Sequence, residues 1–245
     1  MFDLTGRTAL VTGAGRNVGA GIAHGLARQG AHVVVNDYFF ERARSVAAEI
    51  DRAGGLASPA AFDVTDLDGV LGAVGKIDAV DILVNNAGLA GPTGMRIEPF
   101  RDMDPVDWQA AVDVNLYGVM NCCHAVVDSM CERGWGRIIT ISSAAGTSGT
   151  HIGVAPYSAG KGGGLSFTRS LALEVARSGV TANSLVLGLF ERKNREVTER
   201  FARTIPVGRT GRPSDVAAAC VWLASEEAAW VTGQSIGING GSLTS

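Results

Sequence analysis

Tyr157 and Lys161 stand four residues apart in Val154-Ala155-Pro156-Tyr157-Ser158-Ala159-Gly160-Lys161. On a helix this spacing puts both side chains on one face. An ammonium beside a phenol favours the phenolate and lowers the tyrosine pKa from its ordinary value of about 10. A phenol so tuned can give a proton to a carbonyl oxygen or take one from an alcohol. The same spacing also occurs on ordinary helix surfaces, where it does no chemistry. The pair takes its meaning from the elements that hold it.

Those elements alternate. Thr8 to Thr12 reads as a strand that stops at Gly13, and Val18, Ile22, Ala23 and Leu26 then recur at helical spacing. His32 to Asn36 is a second strand, which completes a βαβ unit. The pattern continues with a helix over 42–53, a weak strand over 58–62, a short helix over 66–75 and a strand over 81–84. A long helical region over 105–133 precedes a strand over 137–141, and the helix over 155–178 carries Tyr157 and Lys161. A strand over 180–186, a helix over 214–224 and a strand over 235–239 close the chain. Such alternation predicts an α/β fold: a doubly wound parallel sheet between two helical layers, a three-layer α/β/α arrangement. The 245 residues read as a single domain, 1–245. The polar stretch at about 189–212 interrupts the alternation just after a strand end, where such folds bind ligands, and is expected to act as a substrate-side lid.

Composition narrows the class. The formal net charge of −3 carries no basic footprint for nucleic acid. No unbroken apolar run reaches the roughly 18 residues of a membrane span. Met1-Phe2-Asp3-Leu4 lacks the basic start of a signal peptide, so a cytoplasmic location is expected. Cys122, Cys123, Cys131 and Cys220 form no C-x-x-C and read as buried thiols of a reducing compartment; no metal site is expected.

The turn Thr12-Gly13-Ala14-Gly15-Arg16-Asn17-Val18-Gly19 links the first strand to the first helix. Backbone amides there can meet a pyrophosphate at the helix N-terminus. Asp37, at the end of the second strand, is placed to accept hydrogen bonds from a ribose 2′-hydroxyl and to repel a 2′-phosphate. Arg16 pulls the other way, since a guanidinium can hold that phosphate. The carboxylate favours NAD, with NADP the lesser expectation.

With these residues in view, the chain resembles, end to end, the short-chain dehydrogenase/reductase family in its subgroup of about 250 residues. The glycine turn resembles the family's Thr-Gly-x-x-x-Gly-x-Gly, with Asn17 in place of the middle glycine, and Asn is among the residues that best tolerate a left-handed turn. Asp63-Val64 resembles the adenine-side Asp, and Asn85-Asn86-Ala87-Gly88 the family's Asn-Asn-Ala-Gly. Asn115, Ser143, Tyr157 and Lys161 match the catalytic set. The resemblance implies a Rossmann fold. It also implies a cofactor site drawn from Gly13, Gly15, Arg16, Asn17, Val18, Gly19, Asp37, Asp63, Val64, Asn86, Ala87, Gly88, Tyr157, Lys161, Gly188 and Phe190. Tyr157 is then the proton donor and acceptor, and Ser143 stabilises the substrate oxygen. Lys161 tunes the phenol and binds the nicotinamide ribose, and Asn115 holds a relay water. Two departures stand out: Leu187-Gly188 replaces the family's Pro-Gly, and Arg192 replaces a Thr. Arg192 is a possible phosphate contact.

The function implied is an NAD(H)-dependent oxidoreductase that interconverts a secondary alcohol and a ketone. A reductase of 3-oxoacyl thioesters on acyl carrier protein or coenzyme A is the alternative, with Arg192, Lys193, Arg195, Arg200 and Arg203 as candidate phosphate contacts. A catalytically inactive nucleotide-binding regulator is a third reading, opposed by the complete catalytic set. His151, Ile152, Gly153, Val154, Leu89, Ala90 and Met95 are expected around the substrate, with His151 read as a solvent-facing loop residue. The glycines at 160, 162, 163 and 164 imply close backbone packing. Together with Val112, Leu116, Val119, Cys123, Val126, Val127 and Met130, and the family's dimerisation helices, they lead to the expectation of a homotetramer.

Overall fold

The computed structural model describes residues 1–88, 94–191 and 194–244. Its strands are β1 (Thr8–Val11), β2 (His32–Asp37), β3 (Leu56–Ala61), β4 (Ile82–Asn85), β5 (Gly136–Ser143), β6 (Val180–Leu187) and β7 (Ser235–Ile238). They form one parallel sheet in the order β3-β2-β1-β4-β5-β6-β7. The order reverses between β1 and β4, so the crevice of a doubly wound sheet opens above these two strands.

Strands covered on both faces should be apolar on both, and β1, β2 and β4 are so over residues 9–11, 33–35 and 82–84. Val33 and Val35 join one core with Ala9, Val11, Ile82 and Val84, while Val34 joins the other with Leu10 and Leu83. The first core is capped by α1 (Asn17–Arg28), α2 (Phe40–Arg52) and α8 (Pro213–Ala224) through Ile22, Leu26, Val46, Ile50, Val216 and Leu223. The second is capped by α3 (Leu67–Val74), α5 (Gly118–Glu132) and α6 (Ala155–Val175). α4 (Pro105–Val112) precedes α5, and α7 (Arg195–Ala202) lies within the polar stretch after β6.

Three expectations shift. β3 starts two residues earlier than its sequence pattern and ends one earlier, with Pro59 inside it; a proline is tolerated there because β3 is an edge strand. The long helical region is broken by a π-turn at Asp113–Tyr117, which separates α4 from α5. Finally, the continuous stretch Pro105–Glu132 is long and apolar enough to cross a membrane by length and composition. The expectation considered unbroken apolar runs, whereas mean hydropathy tolerates scattered polar residues. In the structure this stretch gives Val119, Cys122, Val126 and Met130 to the second core.

Candidate active site

The glycine turn leaves β1 beneath Asn86. Asn86 Nδ2 donates to Thr12 O (2.9 Å) and Gly13 O (3.0 Å), and Thr12 Oγ1 accepts from the amides of Asn86 and Ala87 (3.0 Å each). Gly13 N donates to Asn36 Oδ1 (3.3 Å), and Asn36 Nδ2 donates to Phe62 O (3.1 Å). The ends of β1, β2, β3 and β4 are thus stitched into one rim. Asn17 takes the left-handed conformation (φ 49°), as its type allows. A Cβ on Gly15 would lie 2.6 Å from Asp37 Oδ2, and one on Gly19 would collide with Gly13 O. The turn therefore hugs the rim. Arg16, at the N-cap of α1, makes no side-chain cap, and the first turn holds no acidic residue. That leaves the helix terminus open to an anion.

Above the rim lies a cleft of ≈ 510 Å³. Every residue predicted for the cofactor lines it except Gly15, which lies behind the turn against Asp37 and Arg42. Its far end is walled by Ser143, Tyr157 and Lys161 with Ile141, Leu187 and Gly188. Asp63 is fixed by its own turn, its Oδ1 accepting from Thr65 N (2.9 Å) and Thr65 Oγ1 (2.8 Å). The shape fits an extended dinucleotide: a glycine cradle that a single Cβ would fill, and a buried carboxylate at one end. Residues that the sequence reading did not single out also line it, notably Asn36, Tyr38, Phe39, Arg42 and Val114. Their pattern is that of an ordinary strand end and helix start; only the three-residue step from Phe39 to Arg42 hints that the two side chains meet.

Ser143 ends β5 and caps a 3₁₀ turn, its Oγ accepting from Ala145 N (3.3 Å). Tyr157 sits in the first turn of α6, and Lys161 follows one turn later, 5% exposed. Lys161 Nζ donates to Ile141 O (2.8 Å), and Ser142 Oγ donates to Lys161 O (3.1 Å), so α6 is fixed to β5 at the lysine. Burial pushes the Lys161 pKa down to about 8, because the charged form is poorly solvated there.

Asn115 is buried in the π-turn, its Nδ2 donating to Ala111 O (2.8 Å). Asn115 and Lys161 both flank the bare α-carbon of Gly88: a Cβ there would lie 3.0 Å from Lys161 Nζ and 3.2 Å from Asn115 Oδ1. π-turns often mark functional sites, and here one carries the predicted relay residue. The glycines of α6 make room for α4 and the π-turn. A Cβ on Gly160 would lie 2.9 Å from Ala111 O and 3.0 Å from Asn115 Cβ, and one on Gly164 would lie 3.1 Å from Asn115 O. The close approach expected of these glycines is therefore made within the chain, by Gly160, Gly163 and Gly164 to α4 and the π-turn and by Gly162 to Gly146 after β5.

On the substrate side the expectation is corrected in part. Val154 and Met95 line a small pocket with Tyr157, but His151 and Ile152 are exposed and Gly153 packs on Glu98. Of these side chains, the solvent-facing reading of His151 holds. Leu89, Ala90, Arg192 and Lys193 lie outside the described residues, so the Arg192 phosphate contact does too.

A family model for short chain dehydrogenases matches residues 7–201. The chain is 36% identical to the acetoacetyl-CoA reductase of Cupriavidus necator, over 97% of this chain and 98% of that one. Among solved structures it resembles a gluconate 5-dehydrogenase from Burkholderia cenocepacia in complex with NADP and tartrate (TM-score 0.90, 36% identity, 98% of this chain and 96% of the other). It also resembles a 3-oxoacyl-[acyl-carrier protein] reductase from Brucella melitensis with bound NAD (TM-score 0.93, 32% identity, 99% and 94%).

Proposed function

The chain belongs to the short-chain dehydrogenase family, is an oxidoreductase of CH–OH and keto groups that depends on a nicotinamide dinucleotide, and we propose that it interconverts a secondary alcohol and its ketone with a preference for NAD(H). One observation supports the reading above others. A single cleft joins a glycine turn and a buried carboxylate at one end to Ser143, Tyr157 and Lys161 at the other.

The dinucleotide supplies a hydride acceptor or donor when bound. Gly13, Gly19 and the open end of α1 would receive its phosphates, with Gly15 letting the turn pack against the rim, and Asp37 would receive the ribose of its adenosine half. Asp63 and Val64 border the adenine, while Gly88, Gly188 and Phe190 border the nicotinamide half. Tyr157 gives its proton to the ketone oxygen, or takes one from the alcohol in the reverse direction. Ser143 Oγ donates a hydrogen bond to the same oxygen, where charge develops. Lys161 lends positive charge to the phenol and a donor to the ribose beside it. Asn115 holds a water next to Lys161, through which the proton on Tyr157 is replaced from solvent.

The thioester alternative draws support from the names of the Cupriavidus and Brucella relatives. Against it, the lid cations are partly matched: Arg195 Nε pairs with Glu199 Oε1 at 2.8 Å, four residues on. We further read the chain as one domain, with residues 189–212 as the lid. Phe190 and Gly211 meet at its base in an isolated β-bridge. We place the enzyme in the cytoplasm, a reading supported by four free cysteines. We also read it as a homotetramer, with the exposed apolar residues Val106, Tyr117, Met120 and Leu173 buried between subunits.

A panel of secondary alcohols, ketones and 3-oxoacyl thioesters, assayed with NAD(H) and NADP(H) by absorbance at the nicotinamide band, tests the reading. Turnover of simple ketones supports it. Turnover confined to thioesters would replace it with the alternative, and no turnover with any member would overturn both.

A further inference from the structure

A second, smaller cavity of ≈ 10 Å³ shares Tyr157 with the dinucleotide cleft. Met95, Met103, Ala111, Val154 and Pro156 give it an apolar lining, and Met103, Ala111 and Val154 are buried. Among the described residues that line it, Arg96 and Asp107 bring the charges, and these are matched: Arg96 Nη1 donates to Asp107 Oδ2 at 3.0 Å. A space of this size holds about one water molecule, or one methyl group. A water stays only where polar groups hold it, and this lining offers few that are not already paired. The cavity therefore suits a methyl group better than water.

Methionine adapts its shape, so a limit on size requires that the backbone carrying Met95 be held. It is held on two sides. Arg96 Nε also pairs with Glu98 Oε2 at 2.8 Å, so one guanidinium joins the 95–98 segment to α4. Glu98 N donates to Gly153 O (3.0 Å), which joins the same segment to the loop before α6. Gly153 takes a left-handed conformation (φ 71°), and a Cβ on it would lie 2.7 Å from the Glu98 backbone. Residues 95–98 are thus a strap tied to α4 at one side and to the start of α6 at the other, with Met95 carried on it.

Resting on the reading that Tyr157 protonates a ketone, we infer that this cavity is the subsite for the smaller substituent on the reacting carbon, and that it takes a methyl group. The substrate class is then methyl ketones and the matching methyl carbinols, with the larger substituent in the main cleft. Arg96 is a positioning residue: through the strap it sets where Met95 stands relative to Tyr157. A hydroxymethyl group in place of the methyl would bury a hydroxyl among polar atoms that are already paired, which is unfavourable. An added methylene must displace the wall, and one methylene in such a pocket changes kcat/KM by about 10–200-fold.

The test is kcat/KM for 2-heptanone, 3-heptanone and 4-heptanone at saturating NADH. The three ketones are isomers, so overall size and polarity stay nearly constant while the smaller substituent grows from methyl to ethyl to propyl. Each step should cost about tenfold or more. Values equal within about threefold, or rising along the series, would overturn the subsite and leave the role of Tyr157 standing. No turnover with any of the three would overturn the ketone reading itself, and the subsite with it. Arg96→Gln removes the charge that ties the strap, and should narrow the ratio of 2-heptanone to 4-heptanone by about tenfold. Arg96→Lys, which keeps a charge for Asp107, should restore part of that ratio. An equal loss for all three ketones in Arg96→Gln is what a purely structural role would give, and it would remove Arg96 from the specificity.

Discussion

Lys161 Nζ lies 6.0 Å from the centre of the Tyr157 ring while donating a 2.8 Å hydrogen bond to Ile141 O. The lysine is therefore anchored to the sheet, and the tyrosine one turn earlier on α6 faces the cleft beside it. The phenol is placed by a helix that is itself fixed to β5, which is the rigid mounting a proton donor needs.

Tyr157→Phe keeps the ring and removes the acidic proton. Turnover should fall by about 10²–10⁴-fold, the usual contribution of a general acid, with NADH affinity nearly unchanged. Stopped-flow turnover and a fluorescence titration together check this, and turnover kept within threefold of the parent would remove Tyr157 from the mechanism.

Lys161 also predicts a pH effect on stability. Its folded pKa, about 8, lies below its ordinary 10.5, so between these values the unfolded chain binds more protons than the folded one. Stability without nucleotide should therefore rise with pH across that window, by roughly 3 kcal/mol in full. Urea unfolding at pH 7.5 and pH 9.5 measures it. Lys161→Met should be flatter than the parent over the same range, and parallel curves would contradict the burial argument.

Asp37→Ala removes a carboxylate at the ribose end. NADH should bind more tightly than NADPH to the parent, by about tenfold, the worth of one hydrogen bond to a charged acceptor. The substitution should shrink that ratio towards one. A parent that prefers NADPH in the titration would mean that Arg16 and Arg42 outweigh Asp37.

Two glycines should respond in opposite directions. A Cβ at Gly160 meets Ala111 O and Asn115, so Gly160→Ala should cost about 1–3 kcal/mol and lower turnover by shifting Asn115. Gly72, in α3, has open space where a Cβ would go, and Gly72→Ala should gain about 0.5–1 kcal/mol. Chemical unfolding of both variants checks the pair, and a stable, fully active Gly160→Ala would show that α6 need not approach the π-turn so closely.

Assembly is expected to bury the outer faces of α4, α5 and α6, where Val106 is 71% and Leu173 78% exposed. Light scattering at micromolar concentration should give about four times the 25.3 kDa of one chain. A mass of one chain would refute the expectation, and a mass of two would keep an interface but remove the tetramer.

Much of this was legible in the residues. The apolar runs of β1, β2, β4 and β5 announce strands covered on both sides, and the step from Tyr157 to Lys161 announces a shared helix face. Asn17 was readable because few other residue types accept its backbone angle. The π-turn was not readable: Val112 to Val119 has ordinary helical residues, and the extra residue is selected by what α4 and α5 pack against. Nor was Arg42, whose approach to Asp37 depends on the angle at which α2 starts. The glycines of α6 gave the right inference of close packing, but sequence alone could not say that the neighbour was the same chain.

The π-turn acts as a phase shifter between two helices. Each residue of an α-helix advances the face by about 100°, so one inserted residue rotates everything after it by that angle relative to everything before it. Ala111 on α4 can thereby face α6 while Val119, Cys122, Val126 and Met130 on α5 face the sheet. Deleting one residue between Val112 and Gly118 would restore regular winding and put the two halves out of phase. Every side chain would still have its own type, yet either α4 would leave α6 or α5 would turn its apolar stripe from the core. In this segment the number of residues is constrained as well as the identity of Asn115.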